Sequence, residues 1–389
     1  MKQTWPHLPL QDVCDVRVGR TPRRDVPEYW GGGAVWVTVG ELSGGIITDS
    51  KEHISTIAVE RCMPEPVPAG TLLFSFKLSI GKMAVAGCPL YTNEAIAALP
   101  VRNPNVVSSR FLKYALSAVS HEAGANEAVL GRVLNKAKVA AIQIPLPPLP
   151  EQHRIVNLLD EADELRRRRE QADRRTADLI PALFYEVFGD PAANPNGWPS
   201  SRFGDVCDCR LGKMLDIKQQ TGVYPKPYLR NANVQWGRFD LTEVFEMDFD
   251  SDDQQTFRLR RGDLLICEGG EVGRAAIWND ELNECYFQKA LHRARPDGRF
   301  AVSDYLLYLL WSMATGGCLV DFTSEATIKH LTGIKLKSMP VMLPPLDLQR
   351  EFAARVAEIR ALQARQAESR RRLDDLFQSM LHRAFQGEL

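Results

Sequence analysis

The sequence is poor in the residue groupings that carry catalysis. Its eight cysteines are scattered, and the nearest two, Cys207 and Cys209, have neither zinc-knuckle spacing nor a second Cys or His pair beside them. They read as reduced thiols of a cytosolic protein. The seven histidines, His7, His53, His121, His153, His292, His330 and His382, stand singly, with no HExxH-type pairing. A lone histidine is more often a packing or surface residue than a ligand, so no metal is expected. Gly81-Lys82 suggests a phosphate loop, but the glycine required five residues earlier is Phe76. EGGEVGR, Glu268 to Arg274, lacks dinucleotide-binding spacing. There is also no Asn/Asp-Pro-Pro-aromatic tetrapeptide of the kind amino-methyltransferases place around a target base. These absences point away from an enzyme.

Charge of one sign is not in excess either. Lys and Arg number 48 against 49 Asp and Glu, a formal net charge of −1, so a nucleic acid must be met by local patches rather than by the whole surface. The longest apolar run, around Tyr305 to Met313, is far too short to span a bilayer, and no charged-then-apolar leader opens the chain. Secretion and membrane insertion are not expected.

What is present is a globular composition, 44% hydrophobic and 25% charged over 389 residues, enough for two or three domains. The chain is nearly two copies of itself. Pro147-Pro148-Leu149 returns as Pro344-Pro345-Leu346, an offset of 197 (344 − 147). DVCDVRVGR from Asp12 returns as DVCDCRLGK from Asp205, an offset of 193 (205 − 12). GTLLFS from Gly70 returns as GDLLIC from Gly262, an offset of 192 (262 − 70). So small a drift marks a tandem duplication. In each copy, short apolar runs between Gly and Pro punctuation predict a strand-rich head with one helix, near Ser108 to Ser120 and near Ser303 to Met313.

Each head is followed by a long charged segment with a proline-braked approach. Ile155, Leu158, Ala162, Leu165, Ala172, Leu179 and Leu183 recur mostly at three-, four- and seven-residue steps, and so do Phe352, Val356, Ile359, Leu373, Phe377 and Met380. A continuous helix from 151 to 188 would be about 57 Å long and cannot bury its seam alone. The expected partner is the other helix: under an approximate two-fold axis the two lie antiparallel, with the heads at opposite ends. Arg166 to Arg169 with Gln363 and Gln366 are expected to weaken the middle of the seam and free contacts for another subunit. Two helices packed separately on their own heads, or a dimerisation stalk, are the alternatives. The fold class is therefore α+β, with the chain divided at 1–145, 146–190, 191–343 and 344–389.

Candidate binding residues lie in loops of the heads. RTPRR offers Arg20, Thr21, Arg23 and Arg24. PYLRNANV offers Arg230, Asn231 and Asn233, side chains able to make bidentate contacts to guanine or adenine edges. Lys77, Lys82 and Arg274 lie by glycine turns, where a phosphate could approach the backbone.

Taken in order, GRTPRRDVPEYWGGGAVWVTVGEL, GTLLFSFKLSIGKMAVAG, TNEAIAAL, LPPLPEQHRIV, the GWP at Gly197 to Pro199 and the final FQGEL resemble the specificity subunits of type I DNA restriction-modification systems. The resemblance covers the whole chain. It implies two target-recognition domains, each reading one half of a split DNA sequence, held apart by an antiparallel helical pair that acts as a ruler. It implies, too, that the helices dock two modification subunits, which bind S-adenosylmethionine and methylate adenine, and that a restriction motor subunit can join them; this chain itself would hold no cofactor and catalyse nothing. One departure is that almost nothing precedes Trp5, so no amino-terminal helix is expected beside the carboxy-terminal one. The rival expectations are a recognition subunit of a methylation-only or phage-defence system and a two-headed protein-binding scaffold.

Overall fold

The computed structural model describes residues 5–77, 79–125, 134–216, 220–322 and 330–389, with residues 120–125 and 321 described by backbone alone. Two compact units result, Met1–Glu170 with Glu368–Leu389 and Gln171–Ala367. Each unit holds one head and part of both long helical segments, so the unit boundaries fall inside helices, away from the three boundaries expected from sequence.

In the first unit a five-stranded sheet runs in the order Arg17–Val18, Ile96–Leu99, Leu72–Ser75, Met83–Ala86, Ile46–Ile47. Strands Ile96–Leu99 and Leu72–Ser75 are buried at every residue, which is why they read as unbroken apolar runs. A three-stranded sheet sets Trp30–Val37 between Glu52–Ile54, antiparallel, and Tyr91–Thr92, parallel. The second unit repeats the plan. Leu264–Cys267 pairs with Leu291–Pro296 and Ala275–Ile277, and Pro225–Leu229 lies between Phe245–Asp248 and Tyr286–Phe287. The repeated glycine after the first sheet strand has one cause in both heads: a Cβ on Gly19 would sit 2.0 Å from the Thr92 carbonyl oxygen, and one on Gly212 2.3 Å from that of Gln288.

The head helices are α1, Ser109–Ala125, and, further along the chain, Ser303–Thr315; between them lie α2, Leu149–Ala177, and α3, Leu179–Phe188. Ser303–Thr315 is α4, and Leu346–Phe385 is α5. The single helix expected over 151 to 188 is thus interrupted at Asp178. Pro181 has no N–H to donate to the Ala177 carbonyl four residues back, and its ring crowds that carbonyl.

The duplicated proline motif is explained by a glutamine. Gln152 is fully buried; its amide donates to the carbonyls of Val106 (2.8 Å) and Pro147 (2.9 Å), and its Oε1 accepts from the Ser108 N–H (3.0 Å). Gln349, the matching residue at the offset of 197 (349 − 152), donates to Phe300 (3.0 Å) and Pro344 (2.9 Å) and accepts from Val302 (3.2 Å). In each copy the prolines present the carbonyl that the glutamine takes. The long helix is thereby locked to the approach of its own head helix.

Within each unit the long helices run antiparallel. In the first, Arg166 donates to Asp374 (2.7 Å) and lies over the Phe377 ring, while Phe385 packs on Phe111. In the second, Thr176 donates to Gln366 (2.7 Å), Gln363 donates to the Thr176 carbonyl (2.9 Å), and Phe352 packs between Phe184 and Phe188. The polar middle is hydrogen-bonded within each unit, through Arg166 and Asp374 in the first and through Thr176, Gln363 and Gln366 in the second. Ile155, Ala162, Phe352, Val356 and Phe377 are buried as expected, and Leu158, Leu183, Ile359, Leu373 and Met380 are half-buried. Leu165 and Leu179 are corrections: they are 51% and 42% exposed. The first seam runs 155, 159, 162, 166, so Leu165 falls one residue, about 100° of helix, off its line. In α3 the buried set is Ile180, Phe184 and Phe188, because the break at Asp178 resets the register.

Strand Leu291–Pro296 carries a buried histidine. His292 is 1% exposed, with Nε2 2.8 Å from the Leu331 carbonyl. Burial pushes its pKa below the ordinary value. The unfolded chain then binds the proton more readily than the folded one, so stability falls as pH drops below about 6.5, at up to about 1.4 kcal/mol per pH unit. Urea titrations of the second unit at pH 7.5 and 5.5 should show this loss, and His292→Asn should reduce it.

Candidate nucleic-acid interface

In the first head the candidate residues line the loop that leaves Gly19. The Arg20 N–H donates to the Thr92 carbonyl (2.8 Å) and its guanidinium to the Cys62 carbonyl (3.1 Å). Thr21 donates to the Glu94 carboxylate. Arg23 forks onto Asp25 at 3.1 and 2.5 Å in open solvent. Arg24 is held differently: its guanidinium stacks 3.8 Å over the Trp30 ring and forks onto Glu52, with one N–H···O distance of 2.9 Å. The guanidinium keeps the Glu52 carboxyl below the usual carboxylate range, so the pair is charged at neutral pH. Lys77 and Lys82 are exposed and flank the turn at Gly81 (φ +90°).

In the second head Arg230 precedes a 3-10 turn, Asn231–Asn233. Asn233 is a correction: it is 3% exposed, its Oδ1 accepts from the Arg230 N–H (3.0 Å), and its amide donates to the carbonyls of Asp240 and Glu243 (2.8 Å each). All its polar atoms serve the loop, so no hydrogen bonds are left for a base. The first head builds the same turn at the offset of 192 (233 − 41), where Glu41 accepts from the Thr38 N–H (2.8 Å). Asn231 donates to the Gly269 carbonyl (3.0 Å), and Arg274 donates to the Asn231 carbonyl (3.0 Å) and to Glu271. Arg274 therefore braces this turn, unlike its exposed counterpart Lys82. The Arg230 guanidinium stacks 3.9 Å over Phe245 and donates to Glu243. Asp248 gathers the loop before Pro225–Leu229 by accepting from the N–H groups of Gly222 (2.8 Å) and Tyr224 (3.0 Å). Burial raises its pKa, but these donors outweigh burial and hold the carboxyl below its ordinary range.

Sequence reasoning missed the partners that hold these arginines, namely Trp30, Glu52, Phe245 and Glu243. The aromatic residues near each loop were the available signal. Burial pushes the thiols of Cys14, Cys209 and Cys285 up to about 12, disfavouring the thiolate form. Among the described residues, no helix is long and apolar enough to cross a membrane.

Comparison with known proteins agrees with this duplicated frame. The family model described as "Type I restriction modification DNA specificity domain" matches residues 2–172 and again 195–366. The chain is 26% identical over 229 residues to the MjaIX type I restriction enzyme specificity subunit of Methanocaldococcus jannaschii, covering 54% of this chain and about half (52%) of that protein's length. It is 24% identical over 335 residues to the EcoBI specificity subunit of Escherichia coli, covering 77% and 70% of the two chains. Among solved structures, a chain described under complex assembly and conformational transition of the type I R-M system superposes with a TM-score of 0.67 at 23% identity, covering 99% of this chain and 98% of the other. The type I restriction-modification S subunit from M. genitalium gives 0.54 at 14% identity over 98% and 96%. These two likenesses bear on fold alone. With the specificity-domain model matching both copies and most of the chain, this protein belongs to the type I restriction-modification DNA specificity family.

Proposed function

We propose that the chain is the non-catalytic DNA-sequence-specificity subunit of a type I restriction-modification complex. Each head reads one half of a bipartite, asymmetric double-stranded DNA site, and the helical segments set the gap and dock two adenine-modifying subunits. In this reading S-adenosylmethionine is bound by those partners, a restriction motor subunit can join them, and the complex works in the cytoplasm. Segments 1–145 and 191–343 are then the recognition domains, and 146–190 and 344–389 the spacer.

The observation that carries the reading is one backbone frame built twice with different loop chemistry. The matching turns of the two heads present Thr38 and Arg230 at the same position, as two unlike half-sites require. Arg20, Thr21, Arg23, Arg24, Lys77, Lys82 and Arg230 are the proposed DNA-facing residues, the first loop and Arg230 for bases and the lysines for phosphates, while Asn231 and Arg274 brace the turn that presents Arg230. The test is genome-wide detection of modified adenine in cells with and without this gene, its partner subunits present. A split motif with a fixed gap that vanishes on deletion supports the reading. If no motif depends on the gene although the chain co-purifies with an active methyltransferase, the reading fails.

A further inference from the structure

Among the described residues, each head contains one arginine stacked within 4 Å of an aromatic ring centroid and paired with a carboxylate. Arg24 lies 3.8 Å over Trp30 and forks onto Glu52, and Arg230 lies 3.9 Å over Phe245 and donates to Glu243. The two devices do not descend from one ancestral position. The residue matching Arg230 in the first head is Thr38 (230 − 192), whereas Arg24 belongs to the loop after Arg17–Val18. A feature that merely held the shared frame together would recur at matching places, and this one does not.

Both carboxylates are accessible, Glu52 at 37% and Glu243 at 66%. An exposed ion pair contributes little to folding. The ring, however, fixes the guanidinium plane, so its fork is already oriented. The Arg230 Nε–H is buried without a partner, leaving a donor unused in the free chain. A carboxylate on this fork presents planar paired acceptors, as does the O6/N7 edge of guanine. It also repels an approaching phosphate.

We infer that Glu52 and Glu243 are specificity-determining residues that occupy the reading arginine of each head until a fitting base edge displaces them, and that keep it from settling on phosphates of the wrong sequence. The inference rests on the DNA-recognition reading above and adds the carboxylates to it.

The test uses the full chain assembled with its modification subunits and fluorescein-labelled duplexes carrying either the methylation-defined target or a scrambled sequence. Glu243→Gln should raise affinity for the scrambled duplex about 5- to 10-fold, steepen its salt dependence and reduce the target-to-scrambled ratio by about tenfold. Glu52→Gln should do the same for the other half of the site. In an Arg230→Ala background Glu243→Gln should leave the target-to-scrambled ratio unchanged, relieving only a repulsion common to both duplexes. Glu243→Ser is the second variant, and matching melting curves exclude a folding defect, since Asn233 holds the Glu243 backbone rather than its side chain. If the Gln and Ser variants leave the ratio unchanged while the unmodified complex prefers its target, the inference falls and DNA recognition stands. If the unmodified complex itself shows no preference, both fall.

Discussion

Replacing Gln349 by leucine should destabilise the second unit by about 3 kcal/mol, because the substitution strands three backbone groups at once, one of them in a buried and two in part-buried hydrogen bonds. The Val302 N–H loses its acceptor, and the carbonyls of Phe300 and Pro344 lose their donor. Each unsatisfied buried group costs about 1–3 kcal/mol, less whatever water or local rearrangement recovers. Leucine has nearly the same volume, so the loss is of hydrogen bonding and not of packing. Hydrogen exchange should show it as faster opening of the amides near Val302 and over the first turns of α5. Gln152→Leu should act likewise around Val106, Pro147 and Ser108 in the first unit. Slow exchange in both variants would mean that the glutamines are incidental to how the long helices meet their heads.

The second large effect concerns discrimination. Arg230→Ala should cost about 1–3 kcal/mol of preference at one base pair in one half of the target, the range for a bidentate arginine–base contact. The turn itself should survive, since it is the Arg230 backbone N–H that Asn233 holds. Binding to unrelated sequences should weaken only slightly, through the Glu243 charge that the lost arginine leaves uncountered, so most of the loss should fall at that one base pair. If Arg230 instead meets a phosphate, its loss weakens binding evenly across sequences and makes the salt dependence shallower by about one counterion. Competition binding with single-position variants of the target, at two salt concentrations, separates these outcomes.

How much was legible in the sequence differed by the kind of interaction. The duplication and the strand-rich heads were legible because buried strands and close-approach glycines such as Gly19 and Gly212 leave residue-type signatures at fixed offsets. The seams were legible in outline, but apolar spacing does not decide between neighbouring leucines, so Leu165 and Leu179 were placed on a line that Arg166 and Ile180 occupy. Gln152 and Gln349 passed unremarked because a glutamine in a charged helix looks solvated; their partners are backbone carbonyls, which no residue type reveals. Asn233 was misassigned for the same reason. Its hydrogen-bonding capacity was visible, but not that the local backbone uses it. The carboxylates on Arg24 and Arg230 lie 28 and 13 positions away along the chain, beyond any local pattern.

The central claim is that the two heads read DNA independently, and exchanging one of them tests it most directly. Residues 1–145 would be replaced by the corresponding head of another family member, and modified adenines mapped across the genome in cells carrying the partner subunits. One half of the split motif should change while the other half and the gap persist. A change in both halves together, or no change in either, would contradict it.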